Sequence, residues 1–261
     1  MKRSLFVTWA VFLGLLLAAA GTLTAAQVLI GAHGGLSIPD IRGSATDIFS
    51  KGFTSRQGPF FGIFTDIGLA PHFSLVVELN YTSQGGKRNG WQPITSLPAE
   101  LAPLFPDPNQ PPYANFKNET ILDYVEIPVM GRLTFGNKIR FFVNAGPYAG
   151  YLVRAKAVTS GTSALYFDET HTIPVIIPPD TEPLTIPLDA DTDVKDSLKR
   201  WNFGLAGGAG VLFPAGPGNL ILEAHFQLGL STIQRDVATS GKSQTGAVVI
   251  SLGYEFCPVK H

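Results

Sequence analysis

Residues 121–156 read ILDYVEIPVMGRLTFGNKIRFFVNAGPYAGYLVRAK, and their side chains alternate in character at every second position. Val125 and Ile127 lie on one face of the first half, and Glu126 lies on the other. After Gly-Asn-Lys at residues 136–138, the same alternation resumes and continues to the end of the stretch. A period of two that persists through both halves predicts a hairpin of two β strands rather than a helix.

The polar face of this hairpin bears on two possible architectures. It combines Glu126, Arg140 and Asn144 with several glycines, a composition that would not fill the dry interior of a soluble sandwich or lipocalin-like barrel. The same face suits the lumen of a transmembrane barrel, whose apolar side chains meet lipid. At this point, the hairpin leaves two alternatives for the whole chain: a secreted soluble β protein and an outer-membrane barrel.

The composition excludes several classes of protein. Charged residues make up 15% of the 261 residues, against about 25% in an average soluble domain. The net charge of −1 gives no indication of nucleic-acid binding. The single cysteine, Cys257, excludes a disulfide within the chain and a cysteine-based metal cluster.

The first 26 residues have the features of a signal peptide. The start is basic, residues 5–20 are mostly apolar, and alanines at 25 and 26 offer a small-residue cleavage site. We expect cleavage and export of the mature chain; the alternative is that this segment stays as a transmembrane anchor. No later stretch reaches the roughly 20 apolar residues of a spanning helix, so membrane insertion of the mature chain would require a closed barrel.

Alternation along the rest of the chain predicts eight strands. Long connections near residues 39–59, 85–120 and 157–197 are separated by short ones, and a medium loop precedes the last strand. Antiparallel strands with short turns at one rim and long loops at the other are typical of outer-membrane barrels. We predict an all-β fold, an eight-stranded antiparallel up-and-down transmembrane β-barrel in residues 27–261. Besides the hairpin, the predicted strands are residues 28–38, 60–70, 74–84, 198–213, 220–233 and 244–256.

Two short motifs carry a resemblance to a known family. Residues 124–128, Tyr-Val-Glu-Ile-Pro, resemble the Tyr-x-Glu-Ile-Pro segment of the PorT-like outer-membrane β-barrel family, and residues 146–148, Gly-Pro-Tyr, are also similar to it. The alternating aromatics Tyr254 and Phe256 look like the signal that barrel-assembly machinery reads. The resemblance implies a barrel in the outer membrane of a Gram-negative bacterium. It implies no single activity, because the family is functionally mixed.

The same alternation places charged residues of both signs in the lumen. An eight-stranded barrel has an interior only just wide enough for side chains, and an unpaired buried charge is costly. We therefore expect a filled lumen with an ion-pair network; the alternative is a narrow polar pore or small transporter. The residues of this predicted network are Asp66, Glu78, Glu126, Arg132, Arg140, Arg154, Arg200, Glu223, His225 and Glu255.

Two further patterns resemble sites of chemistry, namely a catalytic pair and a calcium loop. His225 and Glu223 share one strand face and could form the catalytic pair of a membrane lipid-modifying enzyme. Ser231 is the only serine nearby, and we expect neither catalytic residues nor enzymatic activity. Residues 189–193 have Asp-x-Asp-x-Asp spacing, but Val194 and Arg200 occupy the positions where a calcium loop needs Gly and Glu. No metal site and no cofactor are predicted.

The Pro-rich connection carries aromatic residues that suit a recognition surface. Rigid aromatic segments lose little entropy on binding; the alternative is that these aromatics only fold the loop over the barrel mouth. The residues are Trp91, Phe105, Tyr113 and Phe116.

The predicted function is that of a structural or interaction protein of the envelope, which supports secretion or adhesion through its long loops. The expected partners are outer-membrane lipid, barrel-assembly machinery and an envelope protein at the loops.

Overall fold

A computed structural model describes residues 27–43, 51–94, 97–107, 110–237 and 241–256. The predicted signal peptide and Cys257 lie outside the described residues. The described chain contains eleven strands and two short 3-10 helices, Ala102–Leu104 and Lys195–Ser197. Among the described residues, no helix is long and apolar enough to cross a membrane.

Eight of the strands form a closed antiparallel ring. Each ring strand pairs with its neighbours in chain order, and the pairing of the first strand, Val28–Gly43, with the last, Ser243–Phe256, closes the sheet. This arrangement confirms the prediction of eight antiparallel strands. The ring strands are β1 Val28–Gly43, β2 Gly58–Ala70, β3 Phe73–Pro93, β4 Tyr113–Phe135, β5 Arg140–Ser160, β9 Trp201–Ala215, β10 Gly218–Gly229 and β11 Ser243–Phe256. The three remaining strands, β6 Thr162–Ala164, β7 Thr185–Pro187 and β8 Ala190–Asp193, lie in the long connection between β5 and β9.

The two ends of the ring differ in their connections. Short turns at residues 71–72, 136–139 and 216–217 lie at one end, called the turn end. Long connections follow β1, β3, β5 and β10 at the other end, called the loop end. Alternating connection lengths therefore correspond to the two rims, as the sequence pattern indicated.

The strands at the loop end extend further than predicted. β3 continues to Pro93 and β4 starts at Tyr113, so residues 85–93 and 113–121 form a ladder where a loop was expected. The prolines that disfavour pairing are concentrated between these two segments, and Pro93 is the last residue of its strand. Likewise, β1 reaches Gly43 and β5 reaches Ser160, so the connections around them are shorter than the sequence suggested.

The faces of the strands are inverted relative to a soluble β protein. Glu126 and Arg132 point into the ring and are 0% and 1% exposed, whereas Ile127 and Phe141 point outward and are 49% and 58% exposed. A soluble sandwich would bury the apolar face and expose the charged one. The polar face therefore lines the interior, as the alternation of the hairpin predicted.

One irregularity changes the face of the end of β5. Asp123 pairs with Arg154 and Tyr124 pairs with Leu152, which leaves Val153 as an extra residue in a bulge. A bulge breaks the strict alternation of side chains along a strand. Beyond it, the faces predicted from the period of two no longer apply to β5.

The long connections pack into a lobe above the loop end. Its core comprises five buried residues, Ile94, Ala114, Phe116, Leu165 and Val175. Partly buried residues from the β3–β4 connection and the β5–β9 connection surround this core, namely Leu97, Leu101, Phe105, Leu184, Ile186 and Leu188. We call this assembly the outer lobe.

Candidate functional site: the polar interior

The layer nearest the turn end is built around one arginine. Arg132 Nη1 donates to Asp66 Oδ2 over 2.8 Å and lies 3.6 Å from Glu255 Oε2. The guanidinium also lies 4.3 Å from the ring centroid of Phe142, a cation–π distance. Asn219 donates to the other oxygen of Glu255 over 2.9 Å. This layer joins β2, β4, β5, β10 and β11 across the ring.

The middle layer contains two histidines and two carboxylates. Glu78 Oε2 accepts a hydrogen bond from Asn80 Nδ2 at 2.7 Å, and Asn80 Oδ1 accepts one from His33 Nε2 at 2.8 Å. On the opposite wall, His225 Nδ1 lies 3.8 Å from Glu223 Oε1 and has no hydrogen-bond partner. All five side chains are buried.

The layer nearest the loop end surrounds a single carboxylate. Glu126 accepts hydrogen bonds from Thr82 Oγ1 at 3.0 Å, Gln84 Nε2 at 2.6 Å and Gln227 Nε2 at 2.8 Å. Gln84 Nε2 also donates to Gln227 Oε1 over 3.1 Å. β3 and β10 are therefore linked directly through the centre of the ring.

Glycines on the inner face make room for these polar groups. A Cβ on Gly62 would lie 2.0 Å from Asn80 Oδ1, and a Cβ on Gly208 would lie 2.5 Å from the Cβ of His225. Real Cβ atoms do not approach other atoms so closely. The interior accordingly alternates large polar side chains with positions that tolerate only glycine.

The predicted lumen residues divide into two groups. Seven of them are buried in the interior: Asp66, Glu78, Glu126, Arg132, Glu223, His225 and Glu255. The other three differ: Arg140 at the turn end is partly exposed, the side chain of Arg154 is 53% exposed, and Arg200 precedes β9 and pairs with Asp196.

Two of these three arginines, Arg154 and Arg200, lie outside the interior for a physical reason. The bulge at Val153 displaces Arg154 from the inward register, and it pairs with Asp123 near the loop end at 3.6 Å. Arg200 lies in the bend before the ring strand begins. Carboxylates consequently outnumber arginines among the described residues that line the interior layers.

The interior also contains residues outside the predicted ion-pair network. They are polar but mostly uncharged: their amides and hydroxyl donate to the carboxylates, and the imidazole of His33 bonds to Asn80. Strand alternation was the available signal, since each occupies an inward position. These residues are His33, Asn80, Thr82, Gln84, Asn144 and Gln227.

The predicted loop aromatics have different environments. Trp91 is 40% exposed and stacks on His171 with ring centroids 3.7 Å apart. Tyr113 and Phe116 lie in β4 and are buried, and Phe105 packs against the lobe core. Three of these four aromatics therefore stabilise the outer lobe instead of forming an open surface.

The exposed apolar surface of the lobe lies in the hairpin that contains residues 165–184. Phe167, Ile173, Ile176 and Ile177 are all exposed there, and we call them the lobe patch. The hairpin is held by backbone hydrogen bonds from Phe167 to Ile173 and from Leu184 to Val175. Asp168 accepts bonds from Thr170 and from the backbone of Ile173 and Thr172; these bonds, that of the Thr170 hydroxyl first, lower the pKa of Asp168.

The Asp-x-Asp-x-Asp segment, residues 189–193, makes ordinary structural contacts. Asp191 pairs with Lys156 over 2.6 Å, and Asp193 accepts the backbone N–H of Lys195 over 2.8 Å. In the last strand, Tyr254 donates to the carbonyl of Ala215 over 2.8 Å. Phe256 is exposed at the turn end.

The outer face of the ring is apolar over its full circumference. Soluble monomers rarely expose apolar patches larger than a few hundred Å², whereas here every ring strand presents large exposed apolar side chains. Aromatic residues cluster near both rims, as in the girdles of transmembrane barrels. Tyr151 and Trp201 contact each other toward the loop end at 5.2 Å between ring centroids. Exposed apolar residues on the eight strands include Leu36, Ile63, Leu79, Ile127, Phe141, Phe203, Phe226 and Leu252.

Comparison with protein families agrees with this surface. The sequence matches the outer membrane protein beta-barrel domain family over residues 24–235. The chain belongs to this family. As a member of the outer membrane protein beta-barrel domain family, the chain is an outer-membrane protein, and the closed ring is its barrel.

Solved structures of outer-membrane barrels are similar to this barrel at low identity. Ail, the attachment invasion locus protein of Yersinia pestis, solved with the heparin analogue sucrose octasulfate, is 10% identical, with a TM-score of 0.38 and coverage of 88% of this chain and 99% of Ail. Neisserial surface protein A is 9% identical, with a TM-score of 0.39 and coverage of 88% and 97%. OprG of Pseudomonas aeruginosa is 10% identical, with a TM-score of 0.38 and the same coverage. A search of curated proteins finds no significant match.

Proposed function

We propose that this barrel is a non-conducting protein of the Gram-negative outer membrane that acts through its outer lobe as a structural or interaction partner. The observation that carries the proposal is the set of hydrogen bonds that cross the interior. Gln84 on β3 bonds to Gln227 on β10, and Asn144 on β5 donates to Glu223 on β10 over 2.8 Å. Side chains bonded from wall to wall favour a filled lumen over an open channel.

The hydrophobic contacts inside the ring support the same conclusion. Phe64, Val76, Phe142, Leu212 and Ile221 form a buried cluster near the turn end. Removing a well-packed apolar group from such a cluster is unfavourable. Together with the polar layers above it, this cluster favours an interior that does not admit a column of water.

The outer lobe supports a role in binding. Its core fixes the hairpin of residues 165–184, so the lobe patch is presented by an ordered segment. An ordered apolar surface loses less conformational entropy on association than a flexible loop. We infer that the partner is an envelope protein with an exposed apolar surface, and that the interaction supports secretion or adhesion.

The turn end supports a separate contact during biogenesis. We propose that barrel-assembly machinery recognises β11, on which Tyr254 and Phe256 alternate. We assign no catalytic role to His225 and Glu223, because both are buried in the middle layer, where a lipid substrate has no access to them.

A conductance measurement tests the closed lumen. The purified chain, reconstituted in planar bilayers, is expected to show no steady single-channel steps, while a known porin in the same bilayers gives them. Heat-modifiable mobility on unboiled gels first establishes that the reconstituted chain is folded. Steady steps from folded protein would overturn the closed lumen and would favour a pore for polar solutes.

A deletion strain tests the role of the lobe. Complementation with the wild-type chain is expected to restore secretion or adhesion, whereas Ile173→Ser combined with Ile176→Ser is expected not to. Thr185→Ser, also in the lobe but outside the patch, is the matched control. Full activity of the double variant at equal surface level would overturn the proposed patch.

A further inference from the structure

Three buried side chains with metal-binding chemistry meet in the middle layer. One ligand atom from each of His33, Glu78 and Glu223 lies within 4.8 Å of the other two. They come from β1, β3 and β10, which are far apart along the chain. We propose that this cluster binds a divalent transition-metal ion, a function that goes beyond the proposed role of the outer lobe.

The hydrogen bonds around His33 prepare it to act as a ligand. Asn80 donates through Nδ2 to Glu78, so its Oδ1 is left to accept the N–H of His33 Nε2 at 2.8 Å. This bond fixes the imidazole tautomer with a lone pair on Nδ1. Metal-binding histidines in proteins usually donate their other ring N–H to an oxygen in the same way.

The two carboxylates are also oriented by neutral amides. Asn80 donates to Glu78 over 2.7 Å, and Asn144 donates to Glu223 over 2.8 Å. Within the described ranges, neither carboxylate forms a salt bridge with lysine or arginine. Two carboxylates at this separation repel each other, and a divalent cation between them would offset that repulsion.

His225 provides an independent observation that points to a ligand. Its side chain is 3% exposed, and its Nδ1 makes no hydrogen bond. The atom lies 3.8 Å from Glu223 Oε1 but is not among the three ligand atoms that lie mutually within 4.8 Å. A buried imidazole nitrogen is normally satisfied, so an ion held beside Glu223 would supply the partner that this nitrogen lacks.

The surroundings of the cluster suit a bound metal ion. The rings of Phe60 and Phe64 pack against His33 with centroids 4.9 and 5.3 Å away, and Phe60 also contacts His225 at 5.3 Å. These apolar rings exclude water and lower the local dielectric, which strengthens charge interactions. An imidazole and two carboxylates, with a second imidazole beside Glu223, form a ligand set that suits Zn²⁺ and related ions, since Ca²⁺ and Mg²⁺ prefer oxygen ligands alone.

Metal analysis of the folded barrel tests the site. The full chain is refolded with Zn²⁺ present, so that access through the filled interior does not limit binding, and unbound ion is removed by dialysis. We expect one Zn²⁺ per folded chain by elemental analysis, and d–d absorption bands of four-coordinate Co²⁺ when Co²⁺ replaces it. Absence of both in the folded wild-type chain would overturn the proposal, whatever the variants do.

Variants identify the ligands. Glu78→Gln and His33→Gln are each expected to lose the bound ion, and Asn80→Ala to lower its affinity about 10–100-fold. Glu126→Gln is the matched control, because Glu126 is equally buried but belongs to another layer, and it is expected to keep one ion per chain. Equal metal content in Glu78→Gln, His33→Gln and wild type would show binding elsewhere and would also overturn the proposal.

Discussion

Arg132 Nη1 lies 2.8 Å from Asp66 Oδ2, and the side chains of these two residues are 1% and 10% exposed. The bond joins β4 to β2 through the interior, although β3 separates these strands in the sheet. Because Glu255 also lies within 3.6 Å of Arg132, one guanidinium serves two buried carboxylates. Among the described residues, Arg132 is therefore the one arginine that contacts both of these carboxylates.

Replacing this arginine should destabilise the barrel strongly. We expect Arg132→Met to lower the free energy of unfolding by about 3–5 kcal/mol, since two buried carboxylates lose their partner. Urea unfolding in lipid vesicles, followed by tryptophan fluorescence, measures the change. Lys156→Met removes an ion pair with the exposed Asp191 and should cost at most about 1 kcal/mol. Equal losses in the two variants would contradict the central role of Arg132.

The inward glycine at position 62 should be intolerant of a methyl group. In Gly62→Ala the new Cβ would lie 2.0 Å from Asn80 Oδ1, so we expect a loss of about 1–3 kcal/mol from overpacking. Gly34→Ala is the control, because its Cβ would meet nothing nearer than Phe60 O at 3.8 Å. Its stability should change by less than about 1 kcal/mol. The urea midpoints of the two variants measure these changes in stability. A larger loss in Gly34→Ala than in Gly62→Ala would show that the inner face has room for a methyl group at position 62.

A charge on the outer face should be unfavourable in a bilayer. Ile250 lies in the middle of β11, points outward and is 49% exposed. We expect Ile250→Arg to destabilise the folded barrel in vesicles by about 2–4 kcal/mol, the range for arginine near the bilayer midplane. Ile176→Arg, in the lobe patch, should leave the stability of the barrel unchanged. If Ile250→Arg leaves the stability of the barrel unchanged, this face contacts water instead of lipid.

The carboxylate of Glu126 should not be replaceable by an amide. Its oxygens accept hydrogen bonds from Thr82, Gln84 and Gln227. In Glu126→Gln, the –NH₂ group of the new side chain would face these donors and could not accept from them. We expect a loss of about 1–3 kcal/mol, the cost of buried groups left without partners. The measurement is again the urea midpoint, with the exposed Glu182→Gln as control. Unchanged stability would imply that the layer at the loop end rearranges freely.

The outer lobe should loosen independently of the ring. Leu165 is fully buried in the lobe core, and Leu→Ala at such a site typically costs about 2–5 kcal/mol. We expect Leu165→Ala to speed protease cleavage within residues 161–189 while the heat-modifiable mobility of the barrel stays unchanged. Ile177→Ala, at an exposed position, should cleave at the wild-type rate. Loss of the heat-modifiable form in Leu165→Ala would show that lobe and ring fold as one unit.

The sequence was sufficient to predict the ring, because alternation is a local property of each strand. The period of two from Val125 to Phe135 placed Glu126 and Arg132 inward. Where the period was interrupted, the prediction was wrong. Arg154 follows a bulge that no residue type signals, and the ladder of residues 85–93 with 113–121 was obscured by the prolines beside it.

The composition of the interior layers could not be predicted in the same way. Which inward residues meet depends on the stagger between strands, and this stagger is set by the closure of the whole sheet. His33 and Glu223 come together although 190 positions separate them in the sequence. Alternation assigns each of them to the inner face, but it gives no information about their depth.

The paired extension of β3, β4 and β5 has a consequence for how far the protein reaches. Residues 85–93 continue as strand beyond the start of β2, and nine residues of strand measure about 30 Å. A hydrogen-bonded sheet of this length is stiff, unlike a flexible loop, and holds its tip in a fixed position relative to the ring. Any molecule that binds at the tip of the β3–β4 extension must therefore do so at a fixed distance from the ring, and matched deletions in the two strands would shorten that distance.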